Sequence, residues 1–156
     1  MVEQRMEREW LSSVLTGTIP LGQAMGLEIT RLDDSGISLG LPLAPNVNDK
    51  GTAFGGAMAS AMILAGWSLP RLLLRRAGIS ADLVIGRCEL RFLEPVGAAF
   101  QVHCNWPEAD QCQQFLVELT SHGRGRLDLT PWVEHEDREA ATLSARYTAL
   151  AKSTST

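Results

Sequence analysis

Apolar positions in the first third of the chain predict a helix followed by a strand hairpin. Residues 3–16 place apolar side chains on one helical face among acidic and basic ones, and Gly17 ends that pattern. Apolar residues then alternate with other residues over 25–32 and again over 37–43, with the polar sequence DDSG between the two runs. We therefore expect an amphipathic N-terminal helix that packs on the body of the protein, then a β-hairpin.

The longest uncharged stretch, residues 51–70, predicts a buried central helix. Its length is close to what a bilayer requires, so a membrane anchor is one interpretation. Its glycines and alanines lower the free energy gained on transfer to lipid, and a helix that is apolar on all sides also suits the inside of a wrapped sheet. We favour the buried helix, with a kink or brief break at Pro70 before residues 71–78 resume the helical pattern.

The remaining elements are mostly strands. Residues 84–92 alternate, with the even-numbered positions forming an apolar face and the odd-numbered positions holding most of the charge. A strand over 100–106 and a helix over 107–123 follow. Two further alternating runs, 126–132 and 141–150, are separated by the charged sequence EHEDRE.

These elements predict one α+β domain over residues 1–156. About six strands accompany a single buried helix, so we expect an antiparallel sheet that curls around that helix. Residues 1–20 form the N-terminal amphipathic helical segment, and residues 152–156 are expected to be a frayed tail.

Composition narrows the function classes. The chain of 156 residues is 45% hydrophobic with a net charge of −4, which is typical of a soluble globular protein and unfavourable for binding nucleic acid. The three cysteines have no CxxC spacing and no apolar leader precedes the first helix, so we expect a cytoplasmic protein. The three histidines are too far apart for a local ligand pair and no nucleotide-binding fingerprint occurs, so we expect neither a metal nor a cofactor.

The loop NDKGTAFGG, residues 48–56, leads directly into the central helix. The first amides of a helix have no intrahelical partner and lie at the positive end of its dipole, so they stabilise an oxygen that gains negative charge. Gly55 and Gly56 would allow such an oxygen to approach the backbone closely. The alternative is that both glycines only let the helix start tightly against a strand.

This loop resembles the N-x-x-G-x-x-(H/F)-G-G signature of hot-dog-fold thioesterases. The later segments AGW, RFLEPV, GRGRL and RYTAL extend the resemblance over residues 20–150, more narrowly to the thioesterase family related to the C-terminal domain of the YiiD proteins. The resemblance implies a hot-dog fold, hydrolysis of acyl-CoA or acyl-ACP, and a homodimer or dimer of dimers with active sites between subunits. A non-catalytic acyl-binding module is the alternative function.

The resemblance also implies roles for residues of the loop. Gly56, and less directly Gly55, would form the oxyanion hole. Asn48 stands where related enzymes have asparagine or a catalytic aspartate, so it would orient water or the carbonyl, or else only hold the loop. Asp49 is the nearest carboxylate and a candidate general base, although an exposed loop aspartate is the simpler interpretation.

Further substrate contacts are expected from side chains around this loop. Thr52 and Phe54 lie within it, and Ser60 is the one polar side chain between Ala57 and Gly66, where a packing role is the alternative.

Arginines of the predicted strand over 84–92 are candidates for carrier recognition. Arg87 and Arg91 could bind the phosphates of coenzyme A or of a carrier's pantetheine arm, and a solvated strand face is the alternative.

One departure from the thioesterase pattern concerns the base. Many hot-dog thioesterases place a carboxylate in the central helix about two turns after the second glycine, where this chain has residues 62–64, MIL. The base would then be Asp49, or Glu89 or Glu94 of a neighbouring subunit. Otherwise hydrolysis is slow or absent.

Overall fold

The computed structural model describes residues 2–152. Its helices, within those residues, are α1 (Val2–Ser13), α2 (Pro20–Ala24), α3 (Gly55–Ala77) and α4 (Ala109–His122). Its strands are β1 (Glu28–Leu32), β2 (Gly36–Leu41), β3 (Ala81–Phe92), β4 (Phe100–Asn105), β5 (Arg124–Leu129), β6 (Trp132–His135) and β7 (Arg138–Ala151). A π-helical turn at Val14–Thr18 and a 3₁₀ turn at Ala44–Asn46 complete the list.

All strand pairs are antiparallel, and they form one sheet in the order β1-β2-β4-β6-β7-β3. The long strand β7 has β3 on one side and both β5 and β6 on the other. Strand β3 therefore lies at an edge of the sheet, next to β7. The predicted combination of helices with an antiparallel sheet around a central helix is confirmed.

The core forms between α3 and the face of the sheet that α3 covers. Alternate residues of β7 are fully or almost fully buried against the helix, among them Leu143 and Tyr147. Helix α3 contributes buried side chains on several sides, including Met62, Leu69 and Leu72. Burial on several sides explains why α3 has no charged residue before Arg71. The helix is long and apolar enough to span a bilayer. However, 61% of its apolar 18-residue segment is buried inside the protein.

Helix α3 is continuous through Pro70, so of the two predicted alternatives, a kink or a brief break, the break is wrong. The helix ends at Gly78, whose φ of +68° is the left-handed conformation typical of a residue that terminates a helix. About two turns before Pro70, the buried Tyr147 hydroxyl donates a 2.6 Å hydrogen bond to the backbone carbonyl of Ile63. The packed core around α3 thus holds the helical path that proline alone would disfavour.

A β-bulge changes which residues of β3 face the helix. The register with β7 shifts between Ile85 and Arg87, so that Ile85 pairs with Tyr147 while Arg87 pairs with Arg146. Because paired residues share a face, the helix side of β3 holds Leu83, Ile85, Cys88, Leu90 and Phe92. The predicted apolar face was therefore wrong for Val84 and Gly86 and right beyond the bulge.

Two other boundaries differ from the prediction. The last two strands extend into EHEDRE and turn at Glu136 and Asp137, both with positive φ, because a two-residue hairpin needs only those positions. The N-terminal helix changes to a π-helical turn at Val14. The predicted tail begins at Lys152, and the rest of it lies outside the described residues.

We predict that Gly66→Ala destabilises the protein even though alanine usually favours helices. A Cβ at Gly66 would lie 2.5 Å from the Tyr147 hydroxyl oxygen and 3.1 Å from Cγ of Pro131, so buried groups would have to move. We expect the free energy of unfolding to fall by about 1–3 kcal/mol in urea denaturation. Gly17→Ala is the matched control, since a Cβ there has no neighbour within 4 Å; equal stability of the two variants would contradict the packing argument.

Candidate active site

Backbone hydrogen bonds fix the segment that enters α3. The amide of Phe54 donates to the carbonyl of Asn46 at 2.7 Å, and the amide of Ala53 donates to the carbonyl of Val96 at 2.7 Å. The Asn46 side chain is buried, and its Nδ2 donates to the carbonyls of Met25 and Pro42. Sequence reasoning missed Asn46, because an asparagine after a proline is typical of any turn.

The first amides of α3 are free to bind an acceptor. Phe54 caps the helix without a side-chain hydrogen bond, and its carbonyl accepts from the amides of Ala57 and Met58. Within residues 2–152, no acceptor binds the amides of Gly55 or Gly56. Gly56 is exposed and Gly55 is half-buried, so the positive end of this 23-residue helix opens at the protein surface.

The surroundings of the two glycines do not require glycine for tight packing. A Cβ on Gly55 would lie 3.5 Å from the Phe92 ring, which is an ordinary contact. A Cβ on Gly56 would come within 2.5 Å of the ring of Phe54, an exposed side chain that can move away. Neither glycine abuts backbone of a neighbouring strand, so access to the amides accounts for this pair better than a tight helix start.

The side chain of Asn48 is engaged within its own loop. Its Oδ1 accepts hydrogen bonds from the amides of Lys50 at 2.8 Å and Thr52 at 3.1 Å, and its Nδ2 donates to the Thr52 hydroxyl at 2.8 Å. These contacts are the ones expected if Asn48 only holds the loop. One N–H of the amide is left for a substrate or water, so the orienting role of Asn48 stays a prediction.

Asp49 lies at the tip of the loop in contact with solvent. Its side chain is 85% exposed, and its nearest charged partner is the ammonium of Lys50 at 3.5 Å. No contact within the described residues directs its carboxylate toward Gly55 or Gly56. Its catalytic role therefore also stays a prediction.

A stripe of partly exposed residues runs along α3 from the two glycines. Gly56, Ser60, Ile63 and Trp67 follow the helical spacing i, i+4, i+7 and i+11, and each is half-buried or exposed. The Ser60 hydroxyl donates to the Gly56 carbonyl at 2.8 Å, and the Trp67 indole reaches the Leu83 carbonyl of β3 at 3.4 Å. The half-exposed Leu90 and exposed Cys88 lie on the same side of the sheet as this stripe.

Arg87 and Arg91 are not brought together with the loop. Both lie on the exposed face of β3 opposite α3, paired in register with Arg146 and Thr142. Glu89 lies on that same outer face, opposite Ser144. The geometry thus leaves the two arginines as surface residues at the edge of the sheet.

Other reactive groups are poorly placed for chemistry. Burial raises the pKa of the Cys104 thiol to about 12, which leaves it protonated and unreactive at neutral pH. Burial also raises the pKa of the Tyr147 hydroxyl, which donates its hydrogen bond to the Ile63 carbonyl of α3. Within residues 2–152, no group of three or more His, Cys, Asp or Glu side chains is arranged to hold a metal ion.

Comparison with solved structures shows the same fold in other proteins. A protein of unknown function from Chlorobaculum tepidum is 25% identical, with a TM-score of 0.90 over 96% of this chain and 97% of that one. A "putative thioesterase" from Shewanella oneidensis is 24% identical, with a TM-score of 0.81 over 94% and 99% of the two chains. A "probable thioesterase" from Pseudomonas aeruginosa is 21% identical, with a TM-score of 0.76 over 92% and 95%.

A family model gives the assignment. A search of curated proteins found no match of significant similarity. Residues 8–151, nearly the whole chain, match the model of the family described as "Putative thioesterase (yiiD_Cterm)". The sequence resemblance is confirmed: the chain belongs to this thioesterase family and has the hot-dog fold.

Proposed function

We propose that the protein hydrolyses acyl thioesters, with acyl-CoA or acyl-ACP as substrate, and that the thioester carbonyl binds at the N-terminus of α3. The observation that supports this most directly is the pair of unpartnered amides at Gly55 and Gly56, which open at the surface. Family membership supports the general reaction.

The chemistry follows from where charge develops. Attack of water on the thioester carbon turns the carbonyl oxygen into an oxyanion, and two backbone N–H groups at a helix N-terminus stabilise that charge. Collapse of the tetrahedral intermediate breaks the carbon–sulfur bond and releases the thiol. Gly56 and Gly55 would supply the oxyanion hole, while Asn48, Thr52 and Phe54 would border the bound thioester.

The stripe along α3 is suited to the acyl chain. From Gly56 to Trp67 the helix rises about 16 Å, and the stripe is uncharged throughout. The Trp67 indole, whose Nε1 donates to the Leu83 carbonyl, would close the far end of the stripe. Ser60 would lie beside the acyl chain, with its hydroxyl hydrogen-bonded to the Gly56 carbonyl.

A second copy of the chain would complete the site. Within the described residues, the outer edge of β3 has no partner strand over its 12 residues. Phe54, Phe92 and Leu93 are each more than half exposed near that edge and the start of α3. We propose a homodimer or dimer of dimers in the cytoplasm, in which Arg87 and Arg91 contact the phosphates of the carrier.

The acyl-binding module remains a second candidate because α3 has no carboxylate at residues 62–64 and the amide of Asn48 is engaged in the loop. Steady-state release of free thiol from an acyl-CoA panel separates the two functions. Turnover supports the hydrolase. Tight binding of a non-hydrolysable acyl-CoA analogue without turnover supports the module.

We predict that Gly56→Ala lowers kcat/KM for acyl-CoA hydrolysis by about tenfold or more, which corresponds to the loss of part of one oxyanion-hole interaction. The added methyl would push the Phe54 ring and narrow the approach to the amides. Thermal unfolding should change little, because the displaced ring is exposed. Gly17→Ala should keep full activity. Full activity of Gly56→Ala would argue against the proposed oxyanion hole.

We predict that Trp67→Ala shifts the preference toward longer acyl chains, by about tenfold in relative kcat/KM. Removing the indole opens the far end of the stripe. The measurement is thiol release from acyl-CoA substrates of increasing length. Trp132→Ala, on the outer sheet face, is the matched control. The same preference for acyl-chain length in the wild type, Trp67→Ala and Trp132→Ala would contradict the role of Trp67.

We predict that the protein sediments at twice its 17.0 kDa chain mass or at a higher even multiple. An unpaired edge strand with adjacent exposed aromatic side chains favours association over a monomer. Analytical ultracentrifugation at micromolar concentration measures the mass. A stable monomer would contradict the proposed subunit interface.

A further inference from the structure

Glu94 lies in the short connection after β3, and residues on both sides of it contact the segment that enters α3. On one side, the Phe92 ring lies against Gly55, where an added Cβ would be 3.5 Å from it. On the other side, the Val96 carbonyl accepts the amide of Ala53 at 2.7 Å. The connection that contains Glu94 is therefore bound at two points to the start of the candidate active site.

The backbone and one cation hold Glu94 in place. The amides of Leu93 and Glu94 both donate to the carbonyl of Ala140, at 2.8 and 3.2 Å. Nε of Arg138 lies 3.4 Å from Oε1 of Glu94, and the Glu94 side chain is only 27% exposed. A carboxylate fixed in this way costs little further entropy when it acts on a bound molecule.

The hydrogen bonding of the Glu94 carboxylate is incomplete. Oε1 is buried and makes no hydrogen bond, since the contact with Arg138 has the distance of an ion pair but not the geometry of a hydrogen bond. A buried polar atom without a hydrogen bond is rare in native proteins and calls for an explanation, of which a catalytic role is one.

The other carboxylates that sequence analysis considered are less suitable. Asp49 is 85% exposed beside Lys50, so water solvates it fully. Glu89 lies on the face of the sheet opposite α3. The position in α3 that holds a carboxylate in many hot-dog thioesterases is occupied by residues 62–64, MIL.

We propose that Glu94 of the same chain is the general base of thioester hydrolysis, an inference that rests on the proposed function. Its carboxylate removes a proton from water as the water oxygen forms a bond to the thioester carbon. The amides of Gly55 and Gly56 hold the oxyanion that results. When the carbon–sulfur bond breaks, the protonated Glu94 returns the proton to the leaving thiolate, so that one thioester and one water give one carboxylic acid and one thiol.

The test compares hydrolysis with hydroxylaminolysis in Glu94→Gln. We expect kcat for acyl-CoA hydrolysis to fall by about 100-fold or more, with KM little changed, because the amide cannot accept the proton. Hydroxylamine is a stronger nucleophile that needs no base, so the variant should still convert acyl-CoA to hydroxamate and thiol at a rate close to that of the wild type. Glu94→Asp should recover part of the hydrolytic rate.

Two controls separate catalysis from structure. Arg138→Gln removes a group that positions Glu94 but leaves the carboxylate, so hydrolysis should fall much less than in Glu94→Gln; an equal loss in the two variants, for hydrolysis and hydroxylaminolysis alike, would overturn the proposal. Glu89→Gln, on the outer face of β3, should behave as wild type. Loss of hydrolysis in Asp49→Asn with full activity in Glu94→Gln would assign the base to Asp49 instead.

The outcome for Glu94 is distinguishable from the outcome for the proposed function. If the wild-type protein hydrolyses acyl-CoA and Glu94→Gln does so equally well, the proposed function stands and the inference about Glu94 fails. If the wild-type protein releases no thiol from any acyl-CoA, both fail, and binding of a non-hydrolysable analogue then identifies an acyl-binding module.

Discussion

The burial of one long apolar helix organises this structure. Helix α3 spans 23 residues and is covered by the sheet along most of its length, which removes a large apolar surface from water. The covering is incomplete at its start, where the sheet gives way to the loop before Gly55 and the residue at position 56 is exposed. The same arrangement that buries the middle of the helix therefore presents its positive end to a ligand.

The position of that helix start depends on contacts far apart in sequence. Asn46 binds the carbonyls of Met25 and Pro42, and Ala53 binds Val96 beyond β3. Asn48 closes the loop locally through Thr52 and Lys50. These bonds hold the loop in place before substrate arrives, and preorganised donors are what makes an oxyanion hole effective.

The charged groups divide between the two faces of the sheet. Arg87, Glu89 and Arg91 face away from α3, whereas Glu94 lies three residues after Arg91, in the connection whose Val96 carbonyl binds Ala53 before the helix. The sheet ends between them, at Phe92, and the chain then turns toward Ala53 and Ala140. Hydrolysis requires a base and oxyanion donors, and the proposal assigns these roles to the Glu94 carboxylate and to the free amides at the start of α3.

The sequence by itself determined the elements and the family. The uncharged run and Gly78 predicted α3 closely, and the DDSG turn predicted the first hairpin. The NDKGTAFGG loop identified the thioesterase family. Each of these signals lies within a short stretch of sequence, so it can be read without the fold. Tertiary structure decided the rest. The bulge after Ile85 moved residues 83 and 85 to the helix side, and core packing carried α3 through Pro70. A backbone hydrogen bond between Ala53 and Val96 joined the connection that contains Glu94 to the segment before α3. Those outcomes depend on which distant segments pair and in what register, and a one-residue change in register moves every side chain to the other face of a strand.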